Sequence, residues 1–557
     1  MNQKINDWGI SLIQKNKSLI CILTILISLT IVAIIPLKYA LPAVDLQNFD
    51  DAGQWPTASA LKFVNNWLTD GIINDNFIMY EDFASVEFEK NLRNTYVSYP
   101  SGSIIPLFLA AKLTGRKEVS ISFIKHFVQL EYYLSILFLG LLLYTCLKLL
   151  DVSSLLLRIG LTIILSYLWA FLPYNFYYMK NVYFSDQAVI LLSIIFFLIE
   201  IILYKRQLNK WNLPLQILSN VILFLGILTD WYFCFIAFAA FCLRVITAFQ
   251  EYPTKPILFI LFSKTWTLVI SVVTAIGLFI IQIVSIPGGV YTLGRAFFYR
   301  TSSGAEYGGI ETLIYRFKMG FSWVSIPLLI FTVVFCIVFL FKYKNYSRKL
   351  QMIFSWLSLI VLSAILHTIT FRNHTIVHEF SMLKYNFVFV FVIFTFICWI
   401  YIKNKNKIFL FDENSSGIII IFTGCLLLSF FSLLKTYDQM LYKARSREII
   451  DHSIAKFIRG NTNYYDIVYS PDYEINPNPP QELAISKKRV YKILTVNEIP
   501  YGSLPHTAII NILISKKTIE DNNWSKLQTK NISYIESDSC FLFKFSLESF
   551  QLMIDTK

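Results

Sequence analysis

Long apolar runs separated by short polar stretches dominate the chain. Runs of about 20 residues, the length that crosses ~30 Å of hydrocarbon, lie near 18–40, 122–148, 155–174, 187–204, 213–229, 231–249, 262–286, 321–341, 351–371, 383–402 and 416–434. They predict an all-α polytopic membrane protein with about eleven transmembrane helices. The first run, Ser18 to about Tyr39, is too long for the apolar core of a signal peptide and has no clear small-residue cleavage site, so it reads as a retained span. Ile104–Leu113 is apolar but too short to span, which predicts a surface or re-entrant helix. Ala58, Leu61, Phe63, Val64, Trp67 and Leu68 recur at helical spacing, predicting an amphipathic helix on the membrane surface. From about Lys435 the pattern turns polar. Strand-like runs at Asp466–Ser470, Thr507–Ser515 and Ile532–Phe545, with a turn-rich Asn476–Pro480, predict a small C-terminal extracytoplasmic α/β domain. The expected division is therefore 1–434, carrying outer loops 41–121, 287–320 and 371–380, and 435–557.

Composition narrows the class. Of 557 residues, 55% are hydrophobic and only 15% charged, which excludes an ordinary soluble globular protein, and 17% aromatic content excludes a disordered one. A net charge of +13 is compatible with a nucleic-acid partner, but most of the cations flank spans. Lys15/Lys17, Lys148/Arg158, Lys205/Arg206/Lys210, Arg244/Lys255/Lys264, Lys342/Lys344/Arg348/Lys349 and Lys403/Lys405/Lys407 fall on every second loop. That side is cytoplasmic by the positive-inside rule, and an odd span count puts the N-terminus inside and the C-terminal domain outside. Seven of the eight cysteines lie in apolar runs, so no disulfide framework or CxxC metal site follows.

The ionisable residues that topology does not explain gather at the outer boundary. Asp50 and Asp51 follow the first span; they suit a general base on a hydroxyl, or simply cap the next helix. The same loop ends Tyr96-Val97-Ser98-Tyr99-Pro100-Ser101-Gly102. Lys180 and Asp186 form a pair costly at that depth unless solvated, paired or used, or else serve as interfacial anchors. Arg295, Arg300, Arg316 and Lys318 sit among aromatics on the side where cations are least expected, which suits an anionic lipid phosphate as well as attraction to bulk anionic lipid. Arg372, His374, His378 and Glu379 crowd a short connection. The two histidines at i,i+4 are candidate metal ligands with Glu379, but the pattern is neither HExxH nor its inverse, and a phosphate clamp or a polar helix cap fits the residues too. His126, His367, His452 and His506 are scattered and read as ordinary structural histidines.

In this order the motifs resemble the GT-C superfamily of polyprenyl-phosphate-sugar glycosyltransferases, especially bacterial relatives of protein O-mannosyltransferases and of the lipid A aminoarabinose transferase. Phe49-Asp50-Asp51-Ala52 looks like the family's acidic first-loop motif, and Tyr96–Gly102 its Tyr-x-x-Tyr-Pro-Pro-Gly-like stretch with Ser101 for a second Pro. Asp186 opens the fourth span, and Gly226–Asp230 resembles a Gly-Leu-Leu-Thr-Lys turn with Asp for Lys. The resemblance implies an inverting transferase in a bacterial cytoplasmic membrane. It would take a polyprenyl-phosphate-linked sugar as donor and a lipid, glycan or protein hydroxyl as acceptor on the outer face. It further implies catalysis by Asp50 or Asp51 with Asp186, and substrate binding by Tyr96, Tyr99, Lys180, Arg295, Arg300, Arg316, Arg372, His374, His378 and Glu379. No cofactor is required, although the acidic pair is able to hold a divalent cation. The competing classes are a lipid-linked oligosaccharide polymerase or ligase, and a flippase-type transporter. Transporters place polar groups near the midplane, whereas here they sit at the boundary.

Overall fold

The computed structural model describes residues 27–31, 34, 54–82, 93–152, 154–206, 213–251, 256–303, 305–321, 329–330, 332–334, 336–337, 347–404, 452–463, 466–472, 480–499, 509–521, 527 and 532–555. The chain divides into two compact units. A helical unit takes Met1–Val44, Ser98–Ser103 and Lys125–Lys443; a mixed unit takes Asp45–Val97, Ile104–Ile124 and Ala444–Lys557. In chain order, α1 (Trp55–Asn66) and α2 (Ile104–Leu113) belong to the mixed unit. Then come α3 (Ile121–Leu149), α4 (Leu155–Phe171), α5 (Pro173–Asn181), α6 (Ser185–Arg206), α7 (Leu213–Thr229), α8 (Tyr232–Glu251) and α9 (Ile257–Val284). The helical series ends with α10 (Gly289–Thr301), α11 (Gly309–Phe321), α12 (Arg348–Thr370), α13 (Arg372–Val377) and α14 (Leu383–Asn404).

Among the described residues, five helical stretches are long and apolar enough to cross a membrane: Ile121–Leu149, Ser185–Leu203, Thr265–Val284, Lys349–Thr370 and Glu379–Trp399. The run predicted as one span at 155–174 is broken. α4 and α5 meet at 67°, because Pro173 keeps Leu172 out of the helical region, at ψ 136°, and removes a backbone donor. The helices α7 and α8 occupy the predicted runs at 213–229 and 231–249. The runs at 18–40, 321–341 and 416–434 lie wholly or mostly outside the described residues. Within the unit α12 packs on α8 and α14, and α9 on α7 and α8. Gly226 permits the tight return between α7 and α8: a Cβ there would lie 2.3 Å from the Phe233 ring.

The mixed unit pairs β1 (Met79–Tyr80) antiparallel with β2 (Thr95–Tyr96) and is built on a five-stranded sheet of order β4-β3-β5-β7-β6, from β3 (Ile467–Ser470), β4 (Val490–Lys492), β5 (Ile509–Ser515), β6 (Tyr534–Glu536) and β7 (Cys540–Ser546). β3 runs parallel to β4 and β5, with Val468 facing Val490 and Asn511; β7 is antiparallel to both β5 and β6. The strand-like run Ile532–Phe545 is thus a hairpin, turned at Ser537–Ser539. Ile510, Ile512 and Phe543, all fully buried, fill one face together with Phe550. Expected as a one-faced surface helix, α1 is buried from Pro56 to Asn66, Lys62 included, and packs against the short helix Pro480–Ser486. Asn65 exchanges both of its amide hydrogen bonds with the backbone of Val119, at 3.1 and 2.7 Å. Asp82 accepts from Arg489 at 2.8 Å, and Glu118 pairs with Lys487 at 2.5 Å. The stretch expected as an outer loop of the membrane domain therefore folds with the C-terminal strands; the expected boundary at 434/435 itself lies outside the described residues.

Candidate active site

In the helical unit, the ends of α6, α7, α10, α12 and α14 bring a set of polar side chains together among apolar neighbours. The segment Ser98–Ser103 enters this cluster because it carries glycine where a side chain would not fit: a Cβ on Gly102 would lie 2.3 Å from the carbonyl oxygen of Leu228. The Ser98 carbonyl accepts from Trp231 Nε1 at 3.0 Å and from Arg300 Nη1 at 2.7 Å. This holds Tyr99 buried, with its hydroxyl 2.9 Å from His374 Nε2 and the Arg300 guanidinium 4.3 Å above its ring.

Asp186, in the first turn of α6, is 1% exposed. Its Oδ1 accepts from Lys384 Nζ at 2.5 Å and from Ser381 Oγ at 3.4 Å. Its Oδ2 lies 3.8 Å from His374 Nε2 and has no hydrogen-bond partner among the described residues. Asp230, at the α7–α8 return, uses Oδ1 to accept from the Tyr232 amide at 2.7 Å, a local turn bond typical of Asp, while the same atom is 3.7 Å from Lys384 Nζ. His367, near the end of α12, lies 3.2 Å from that ammonium. An ammonium only donates, so His367 Nε2 accepts and the ring proton sits on Nδ1.

A second group adjoins the first. Arg316, on α11, is 9% exposed and donates from Nη2 to the Val377 carbonyl at 3.0 Å; its Nε and Nη1 have no partner among the described residues. Glu379 accepts from Tyr178 at 3.2 Å. The His374 and His378 rings are 4.7 Å apart, and His378 stacks on Phe380 at 5.0 Å. Burial is the main cause that pushes the His374 pKa down to about 4; Asp186 pulls it back, and Arg300 and Lys384 oppose that pull. His378 is pushed down to about 3 by burial and then by His374, against the pull of Asp186. Both rings are therefore neutral near pH 7.

Of the expected residues, Tyr99, Asp186, Arg300, Arg316, His374, His378 and Glu379 come together. Arg295 and Arg372 are exposed. Arg295 lies over the Tyr291 ring at 5.9 Å. Tyr96 belongs to the mixed unit, against Phe63. Lys180 lies in the last turn of α5. Asp50 and Asp51 lie outside the described residues. The cluster also contains Asp230, Lys384 and His367, to which the sequence reading gave no role. A lysine in the first turn of an apolar helix is the signal that points to Lys384, since a buried ammonium needs carboxylate partners.

No protein-family model matches the chain, and no curated protein matches it. Solved structures do. The oligosaccharyltransferase AglB of Archaeoglobus fulgidus, in complex with an inhibitory peptide and a dolichol-phosphate, aligns at 9% identity with a TM-score of 0.51 over 90% of this chain and 70% of that one. The apo oligosaccharyltransferase of A. fulgidus aligns at 10% identity and a TM-score of 0.50, over 86% of this chain and 65% of the other, so this chain spans about two thirds of its length. ArnT of Cupriavidus metallidurans, bound to undecaprenyl phosphate, aligns at 8% identity and a TM-score of 0.50 over 92% and 97%. The chain therefore has the GT-C fold of these polytopic membrane proteins.

Proposed function

We propose that this protein is an integral membrane glycosyltransferase that moves a sugar from a polyprenyl-phosphate-linked donor to an acceptor hydroxyl on the extracytoplasmic face, with inversion. The observation that carries the reading is the convergence of Tyr99, Asp186, Arg300, Arg316 and His374 at one end of a GT-C helical unit. Donors in that fold that carry a lipid phosphate fit this cluster, as the named lipid phosphates of AglB and ArnT suggest.

In the proposed reaction, Asp50 or Asp51 takes the proton of the acceptor hydroxyl. The acceptor oxygen attacks the anomeric carbon, and the bond from that carbon to the phosphate oxygen breaks with its electron pair leaving on polyprenyl phosphate. Arg316, with the N–H groups of Nε and Nη1 unspent among the described residues, suits the negative charge that develops on the departing phosphate in a low-dielectric site. Arg300 adds positive charge beside it. This chemistry needs no metal, and a divalent ion at the first-loop acidic pair is compatible with it.

The test uses protein purified into lipid and radiolabelled polyprenyl-phosphate sugars with cell-envelope extract as acceptor. Wild type should release polyprenyl phosphate, and Asp50→Asn or Asp51→Asn should abolish release while the donor still binds. Wild type that turns over none of the donors would sink the reading. Active wild type with near-normal Asp50→Asn, Asp51→Asn and double variants would leave the transferase and remove its first-loop base.

A further inference from the structure

Lys384 is 1% exposed and its Nζ is surrounded: Asp186 Oδ1 at 2.5 Å, His367 Nε2 at 3.2 Å and Asp230 Oδ1 at 3.7 Å. An ammonium has three N–H groups; Asp186 and His367 take two of them at hydrogen-bond distance, and Asp230 at 3.7 Å adds an ion-pair contact. The Lys384 head group is thus committed within the protein, and any influence on substrate passes through a neighbour. That neighbour is Asp186, whose Oδ1 is pinned by Lys384 and Ser381 while the buried Oδ2, 3.8 Å from His374 Nε2, has no hydrogen bond among the described residues. A desolvated carboxylate oxygen with no donor is costly, and it marks a place that a ligand's donor would satisfy.

We propose that Lys384 is a positioning residue: it fixes Asp186 by Oδ1 so that Oδ2 receives a substrate hydroxyl. The inference rests on the transferase reading of this site and names a residue that the reading does not use. The hydroxyl belongs either to the sugar of the donor or to the acceptor. Asp230 acts as the second counter-charge, holding the ammonium over Asp186 without approaching the substrate itself.

Three variants in lipid test this. Lys384→Met removes the anchor and leaves two buried carboxylates, so its folding is checked beside a charge-balanced partner, Lys384→Met/Asp230→Asn. Both should lose about 100-fold in kcat, and the double variant should keep a wild-type unfolding temperature. Asp186→Asn should raise KM for the donor if the hydroxyl is the sugar's, or KM for the acceptor if it is the acceptor's. If the network is only structural, restoring the charge balance restores activity, and a double variant with wild-type kcat overturns the proposal. An electron cryo-microscopy map of the double variant gives a readout free of turnover: Asp186 should rotate away from its position, and an unmoved Asp186 overturns the proposal. Wild type inert toward every donor overturns the transferase reading instead, and the map then decides the place of Lys384.

Discussion

Tyr99 and His374 meet at 2.9 Å, hydroxyl to Nε2, although 275 positions separate them in the chain. The bond joins the segment Ser98–Ser103 to the short helix α13, and through His374 reaches Asp186 Oδ2 at 3.8 Å. Tyr99→Phe keeps the ring under Arg300 and removes only the hydroxyl. We expect kcat/KM to fall about 10-fold, the equivalent of ~1.4 kcal/mol and within the range of one buried hydrogen bond. Steady-state release of polyprenyl phosphate measures it, and an unchanged value would place the pair outside the reaction.

Arg316 is expected to separate binding from folding. Truncation to Ala removes one bond to the Val377 carbonyl, but it also removes two buried guanidinium nitrogens that have no partner among the described residues. KM for a lipid-phosphate donor should rise by about 10- to 100-fold, as befits a lost charge-assisted contact. The unfolding temperature in detergent should stay within about 2 °C of wild type, near the small shift that compensating losses produce. A large fall in that temperature with unchanged KM would make Arg316 a structural residue.

The histidine pair gives a pH signature with a definite sign. His374 has a folded pKa of about 4, below the ordinary value of 6.5, because burial disfavours its charged form. Between those values the unfolded chain binds a proton that the folded one refuses, so stability from this group rises with pH across the window and levels off above 6.5. Unfolding of wild type and His374→Gln, compared at steps from pH 4 to 8, should show a difference that grows in favour of wild type up to about 6.5, by at most ~3 kcal/mol. A difference that shrinks as pH rises would reverse the assignment.

In the mixed unit, Asp82 is 8% exposed and accepts from Arg489 and from the Asn94 amide, both at 2.8 Å. Lys62 lies buried nearby; burial lowers its pKa, and Glu81 and Asp82 counter that. Asp82→Asn should destabilise this unit by about 1–3 kcal/mol through the loss of charge-assisted bonds. Hydrogen exchange should then quicken in α1 and in β4. Exchange confined to the substituted strand end would show that the pair is not holding the unit together.

Gly102→Ala tests the close approach of backbone to backbone. Its Cβ would fall 2.3 Å from the Leu228 oxygen, a clash with main chain that no rotamer relieves. The variant should lose most of its activity and more than about 2 kcal/mol of stability, in line with overpacking costs. Retention of both would mean that α7 shifts freely.

Much of the helical architecture was legible because hydrocarbon imposes a long, uniform apolar run, and Ile121–Leu149, Ser185–Arg206 and Leu383–Asn404 stand almost where the pattern puts them. The short helix at Ile104–Leu113 was legible for the same reason. Periodicity could not show what covers the other side of α1, because burial of Lys62 and Asn65 depends on residues from the end of the chain. In the site, Asp186 and His374 stood out as ionisable groups at a span boundary. Lys384 did not, since a lysine at a helix end reads as a topology signal until its partners, Asp186 and Asp230, are brought from 198 and 154 positions away in the chain. The Asp that stands for Lys in the Gly226–Asp230 return acquires a meaning only with that lysine beside it.

The mixed unit is assembled from chain on both sides of the membrane helices, Asp45–Val97 and Ile104–Ile124 before them and Ala444–Lys557 after them. That interleaving sets an order of events during synthesis. The early segments are made first, yet Asp82 and Glu118 find Arg489 and Lys487 only when nearly nine tenths of the protein has been translated and delivered to the same compartment. Until then α1 has no cover for its buried polar residues, so the nascent protein depends on chaperoning or on a waiting, partly open state. A premature stop anywhere before Arg489 would thus undo a structure whose first residues were already in place hundreds of codons earlier.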